Sequence, residues 1–370
     1  INNNLKIDFK EIKFLINPFN FTANIATKDP TIILDNNKIQ LNSIETNISL
    51  KSLISNEFAI GELKISTKSI KIDNVILLAR SFKNSTELFL LNKIIKDGFL
   101  IADIKLNFNK SGKIKKNYQI NGFIKDVKFN FLNQINAKNL NLNFNISKNK
   151  YSLTEINAKI NDVKVSSKLI EIIEKEDFFS ISGKVLTSKK SFNREQLNFV
   201  FGSFLKNLDI EKVKFNSENN ISFNVSKKFK FNGLNIESKI NLDQLDIKNN
   251  FLNLTPYLPD IKKILNFEKH KIIINYNKDK LDISGNGQFL IKGKPDTIDY
   301  KLIKKNNKFI FDTKVHLKNS KLLIEPLNYK KNSNASIFIK GNFRDDSTIN
   351  FDLISLVEKN NKISFKNLNL

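Results

Sequence analysis

The chain has 370 residues, 40% of them hydrophobic, a net charge of +24, and no Cys, Met or Trp. Without Cys there is neither a disulfide nor a thiolate metal site, and no apolar run approaches the roughly 20 residues of a bilayer-crossing helix. All but three of the 61 basic residues are Lys, the exceptions being Arg80, Arg194 and Arg344, so the charge lacks the bidentate fork favoured in specific base and phosphate recognition.

The excess of Lys, Asn, Ile and Phe over Arg, Gly, Ala and Pro fits an AT-rich genome. With no Met even at position 1, the chain is expected to be an internal segment of a longer protein.

Along the chain, period-two alternation of apolar and polar residues recurs almost throughout, the pattern of half-buried antiparallel strands. Asn-Asn-Lys at 36–38 opens a strand, as it does again at 306–308 and 360–362, and Asn tolerates the positive φ of a tight turn. Residues 84–98 predict a helix, with Ser85 or Thr86 as N-cap, Lys96 late and Gly98 as the stop. Ile104, Leu106 and Phe108 alternate up to a turn at 110–113 that contains Gly112. Tyr118, Ile120 and Ile124 are out of phase with Val127, Phe129 and Phe131, so a bulge or a tight break is expected at Lys125–Asp126 to keep both sets on one face.

The stretch 139–147 alternates without a break. Leu140, Leu142, Phe144 and Ile146 point one way, and Asn139, Asn141, Asn143 and Asn145 the other. A second helix is predicted over 191–208, with Leu197, Phe201, Phe204, Leu205 and Leu208 at helical spacing. Strands carrying Ile221, Phe223 and Val225, then Ile240 and Leu242, follow. A Thr-Pro start predicts a third helix over 255–265. The three glycines in 285–293 lie among strands and predict close backbone approach. Phe309 and Phe311, Val315 and Leu317, then Ile349, Phe351 and Leu353, and last Ile363 and Phe365 complete the alternation. About twenty strands at ~4.8 Å each would extend on the order of 100 Å if continuous, and open sheets of that size curl or split.

No Gly/Ser-rich or Pro-rich linker divides the chain. The helix at 191–208 is the best seam, giving segments 1–190 and 191–370 that are also compatible with one continuous structure. The fold class expected is mostly β: an elongated, curled antiparallel sheet forming a groove of repeating type, with a few short helices.

Little in the sequence points to chemistry. The two histidines, His270 and His316, belong to no metal-binding or catalytic spacing, and His316 falls on the polar side of its strand. No nucleophile elbow or phosphate-binding loop occurs. Acidic residues at 345–346 and 174–177 lie in expected turns or strand ends. The chain is therefore read as non-enzymatic and without a cofactor or metal. Most Phe are in phase with Ile and Leu rather than exposed among Lys, against base stacking, so no nucleic-acid partner is expected. Six Tyr and no Trp do not make the aromatic girdles of an outer-membrane barrel.

Three stretches carry a family resemblance. Residues 44–82 (IETNISLKSLISNEFAIGELKISTKSIKIDNVILLARSF) resemble the start of AsmA-like proteins, with a turn element at SLKSL and strands at IGELKI and IKIDN. Residues 322–343 (LLIEPLNYKKNSNASIFIKGNF) are similar to a segment of the YhdP branch. Residues 104–129 resemble the strand–turn–strand units between them. The resemblance to the AsmA-like, YhdP and TamB family implies a bridge-like lipid transport protein of the Gram-negative cell envelope. It implies an anchor in the inner membrane outside this segment, a periplasmic location, envelope or outer-membrane partner proteins, and a long apolar β-groove conducting phospholipid toward the outer membrane.

The physical requirement can be stated beside it. A 16-carbon acyl chain leaving a bilayer exposes CH₂ groups at ~0.8 kcal/mol each, on the order of 12 kcal/mol, which an apolar wall must replace. Candidate lining residues are Ile104, Leu106, Phe108, Leu140, Leu142, Phe144, Ile146, Ile221, Phe223, Val225, Phe309, Phe311, Val315, Leu317, Ile349, Phe351 and Leu353. Lys at an open edge would attract anionic headgroups. The alternative expectation is a structural or adhesive β-scaffold whose apolar faces close on one another.

Overall fold

The computed structural model describes residues 5–34, 37–82, 86–131, 135–201, 209–228, 230–248, 254–278, 280–306, 308–344 and 349–369. Among the described residues, hydrogen-bond connectivity places 22 strands in one antiparallel sheet that does not close, with a separate two-stranded ribbon. The chain divides into two compact units, 1–183 and 184–370.

The first unit contains β1 (Leu5–Asp8), β2 (Glu11–Asn17), β3 (Thr22–Lys28), β4 (Thr31–Leu34), β5 (Asn37–Ser49), α1 (Leu50–Ile54), β6 (Ile60–Thr67), β7 (Ile70–Lys71), α2 (Ile72–Phe82), α3 (Thr86–Ile94), β8 (Ile95–Asn107), β9 (Gln119–Phe131), β10 (Ile135–Ser147), β11 (Lys150–Ile160) and β12 (Val163–Glu174). β13 (Phe178–Phe192) spans the division. Antiparallel pairing runs from β2 through β3, β5, β6, β8, β9, β10 and β11 to β12. Tight turns hold the register. Asn161 and Asp162, at φ 46° and 63°, form the two-residue loop between β11 and β12, a geometry that matches the twist of paired strands.

The bulge expected at Lys125–Asp126 is present. Asp126 has φ 54°, and the pairing of β9 with β10 steps from Ile124↔Leu142 to Val127↔Leu140. Val127 and Ile124 therefore share a face, and both pack beneath α2 with Ile72 and Ile76. That helix corrects the reading of IKIDN as a strand: β7 is only Ile70–Lys71. Ile72 and Ile76, one helical turn apart, face the sheet, while Val75 and Leu78 meet Ile39, Leu41 and Ile70. The helix predicted over 84–98 ends at Ile94. Ile95 begins β8, paired with Phe129, and Gly98 lies inside the strand at φ 139°. A Cβ at Gly98 would lie 2.5 Å from Val127 Cγ2, so glycine serves close strand approach rather than a helix stop. The N-cap candidate Ser85 lies outside the described residues.

The second unit contains α4 (Arg194–Phe201), β14 (Ile210–Ser226), β15 (Phe231–Lys248), β16 (Ile264–Asn277), β17 (Lys280–Ile291), β18 (Lys294–Lys305), β19 (Lys308–Leu317), the ribbon of β20 (Leu323–Ile324) and β21 (Tyr329–Lys330), then β22 (Ala335–Arg344), β23 (Asn350–Glu358) and β24 (Asn361–Asn369). Antiparallel pairing runs from β14 to β19, then through β22 and β23 to β24. α4 starts with a reciprocal cap: Gln196 N donates to Asn193 Oδ1 at 2.9 Å, and Asn193 N to Gln196 Oε1 at 3.2 Å, which satisfies two otherwise unpaired donors. Leu197 is buried, whereas Phe204, Leu205 and Leu208 lie outside the described residues.

The helix predicted over 255–265 does not form. Residues 255–263 make successive turns and β16 starts at Ile264. Pro259 lacks the N–H that a helix would bond to Thr255 and disfavours a helical Leu258. Leu258 packs instead against a core of Leu317, Leu322, Ala335 and Leu356. Two buried carboxylates pin the 318–334 excursion that brings Leu322 there. Asp296 accepts from the backbone N–H groups of Lys318, Asn319 and Ser320 at 2.7, 2.7 and 3.0 Å. Glu358 accepts from Tyr329 Oη at 2.7 Å and from the N–H groups of Asn332 and Ser333.

Candidate functional site

Directly paired residues of an antiparallel ladder share a face, so register alone traces the apolar surface. In the first unit Ile44, Ile65, Ile104, Ile120 and Ile146 pair in succession across β5, β6, β8, β9 and β10. The row continues to Tyr151 and Ile172. Each of these side chains is half-buried rather than sealed. Leu106 pairs with Leu63 one row along, and Phe108 sits 5.4 Å from Phe58. Phe144 pairs with Gly122 and Leu153, and a Cβ at Gly122 would lie 2.4 Å from the Phe144 ring. Leu140 packs into the cluster under α2, and Leu142 is buried beside it. The candidates of this unit therefore share one face, with the end toward Leu140 roofed by a helix.

The reverse face is polar and mostly uncharged along β10. Asn145 Nδ2 donates to Asn121 Oδ1 at 2.6 Å. Asn139 is the exception to a flat ladder: it sits at φ 53° in a second bulge, where its carbonyl accepts from Asn141 Nδ2 at 3.0 Å.

In the second unit Ile240, Ile272, Gly285, Tyr300 and Thr313 pair in succession, followed by Ile339 and Ile354. The next row places Ile274, Ile283, Leu302, Phe311, Gly341 and Phe351 together. Phe309 stacks on Phe343 at 4.7 Å, and Phe311 meets Phe351 at 5.8 Å. Ile221 pairs with Ile236, and Val225 with Phe231. Phe223, Phe231, Leu234 and Tyr276 line an open cleft of ≈ 680 Å³. Val315 lies on the same face, paired with Ile298 and Ile337.

Three candidates of this unit depart from the expected lining. Leu317 is 1% exposed inside the core under the 318–334 excursion, which makes it packing rather than surface. Leu353 is on the opposite face. The pairing of β22 with β23 slips between Gly341↔Phe351 and Lys340↔Leu353, so Asp352 is the extra residue and Ile354, not Leu353, rejoins the apolar row. Ile349 precedes the first paired residue and is exposed.

The structure adds an inward polar pair that the sequence reading left out. His270 is buried on the apolar side, in phase with Ile272 and Ile274, a parity visible in the sequence. Its Nε2 lies 3.0 Å from the Gln288 carbonyl and its Nδ1 3.3 Å from Tyr300 Oη. Burial lowers the His270 pKa and pushes the Tyr300 phenol up to about 12. Both are thus neutral near neutrality, and the face carries no charge there. Close approach explains the glycines of β17: a Cβ at Gly287 would be 2.2 Å from His270 Cδ2, and one at Gly285 2.6 Å from Tyr300 Oη. His316, as expected, faces the polar side, 3.4 Å from Asp299 and 3.1 Å from Ser336 Oγ.

Among the described residues no three or more His, Asp or Glu side chains are grouped to hold a metal ion, and no helix is long and apolar enough to cross a membrane. Comparison of the chain with protein-family models, curated proteins and solved structures finds no match.

Proposed function

We propose that this chain is a segment of a periplasmic, inner-membrane-anchored protein that shields phospholipid acyl chains along an apolar β-surface on their way to the outer membrane. One observation carries the reading: in each unit rows of apolar side chains run strand after strand in register, and most of them stay half-exposed away from the covered end, Phe309 and Val225 being buried exceptions. An ordinary closed core would bury such rows fully. A wall of Ile, Leu and Phe without tight polar partners supplies the apolar contact an acyl chain loses on leaving a bilayer, without fixing it in place. The envelope setting, the anchor and the partner proteins follow from the AsmA-like resemblance. No bond-making chemistry is assigned to the chain.

The test is lipid extraction with mass spectrometry on gently purified protein, combined with photo-crosslinkers placed by face. Probes at Ile104, Phe144 and Ile272 should capture acyl chains, while probes at Asn143, Asn145 and Lys271 should not. Equal labelling of the two faces, or a preparation without lipid, would overturn the proposal. The second reading, a closed scaffold, draws on the sealed clusters around Leu317 and beneath α2. It predicts no labelling at any of the six positions.

A further inference from the structure

Three connections of the first unit meet at one end of the sheet. Phe21, in the β2–β3 turn, accepts from Leu50 N at the start of α1 (2.9 Å). Phe58, just after α1, donates its N–H to the Lys110 carbonyl (3.1 Å) in the β8–β9 connection, and its ring lies over Gly112. Asn109 Oδ1 ties that connection into a defined shape by accepting from Ser111 N at 3.0 Å and Lys113 N at 2.9 Å.

This end is built the wrong way round for water. Phe19 is 94% exposed, Ile54 82% and Phe21 60%, with Leu53, Phe58 and Ile114 exposed beside them. The charged residues among them are mostly cationic: Lys51, Lys110, Lys113, Lys115 and Lys116 against Glu57, which Lys110 pairs at 3.3 Å.

We infer that this apolar, lysine-collared tip docks on an anionic phospholipid bilayer, with Phe19, Phe21, Leu53 and Ile54 entering the headgroup region. Single apolar side chains on separate turns suit a fluid interface, which adapts to each of them. Lysines around the tip are complementary to an anionic leaflet. A second copy of the chain would bring like charges together, which opposes self-association through this tip. The inference is independent of acyl-chain passage along the sheet.

The experiment is flotation of the full chain with vesicles of phosphatidylcholine plus phosphatidylglycerol, against phosphatidylcholine alone. Binding is expected to the anionic vesicles and to weaken with salt. Phe19→Ser with Ile54→Ser should lower it roughly tenfold or more, and Lys113→Glu with Lys116→Glu should remove its preference for anionic lipid. These side chains are exposed, so unfolding curves of the variants should match the parent. Photo-labelling by lipid at Phe144, measured on the same variants, should persist, which separates failure here from failure of the lipid-conducting reading. Equal flotation on neutral vesicles, no flotation, unchanged flotation of the Phe19/Ile54 variant, or a dimer that this variant abolishes would each overturn the inference.

Discussion

His270 reaches from β16 over Gly287 of β17 to Tyr300 of β18, with its Nδ1 3.3 Å from the phenol oxygen and its Nε2 3.0 Å from the Gln288 carbonyl. The carbonyl can only accept, so Nε2 carries the proton and Tyr300 donates to Nδ1. A proton added to the ring would place a charge on an apolar face. Burial lowers the pKa below the value of about 6.5 expected in the unfolded chain. As pH falls through that value the unfolded chain takes up a proton that the folded protein resists, so stability declines; above it there is no penalty. Urea midpoints of the second unit should fall as pH drops below about 6.5, and His270→Gln should flatten that slope. An unchanged slope would assign the effect elsewhere.

The glycines beneath this pair make a second prediction. Gly287→Ala and Gly285→Ala put a methyl 2.2 Å and 2.6 Å from His270 and Tyr300. Displacing either ring breaks its hydrogen bond and overpacks the site, a cost of about 1–3 kcal/mol. Gly61→Ala, whose Cβ would meet nothing nearer than 3.9 Å, should stay within about 0.5 kcal/mol. Denaturation of the three variants side by side measures the difference.

These features separate what the sequence makes legible from what it does not. The phase change between Ile124 and Val127 is written in polar residues at Lys125 and Asp126, and the bulge there follows. The slip at Asp352 is hidden, because Leu353 and Ile354 are both apolar and either could continue the alternation from Phe351. Only pairing with β22 decides, by setting Leu353 opposite Lys340. α2 is hidden for a similar reason. Ile72, Val75 and Ile76 suit a strand by propensity, and their helix is selected by the apolar ground it covers at Val127 and Ile39, a tertiary effect that a local window does not contain. The apolar rows were legible from parity; the exposed tip at Phe19 and Ile54 was not, since exposure depends on what the turns meet.

The assignment of Leu353 to the polar face is directly testable. Leu353→Ser, beside Lys340 and Lys366, should cost less than about 1 kcal/mol. Phe351→Ser removes a ring in contact with Phe311 and should cost roughly 2–4 kcal/mol. Ile354→Ser should resemble Phe351→Ser. Similar losses for Leu353 and Phe351 in thermal or urea unfolding would place both on one face and contradict the slip.

Glu358 pins the same local element that Asp296 does, and its titration reports on that element. Its carboxylate accepts from Tyr329, Asn332 and Ser333, and these bonds, the one from the Tyr329 hydroxyl foremost, hold its pKa down at about 2. The unfolded value is 4.5, so the stabilisation is complete above that pH and is lost as pH falls from 4.5 through about 2. What it stabilises is the 318–334 excursion over Leu317. The loss should therefore appear as local opening before global unfolding. Glu358→Gln keeps the shape but removes the charged acceptor, at a cost of about 1.5–3 kcal/mol. Amide exchange at Asn332 and Ser333 should then accelerate roughly 10- to 100-fold at neutral pH, with the β16–β18 amides unchanged. Uniform acceleration across the unit would show instead that Glu358 holds the whole sheet.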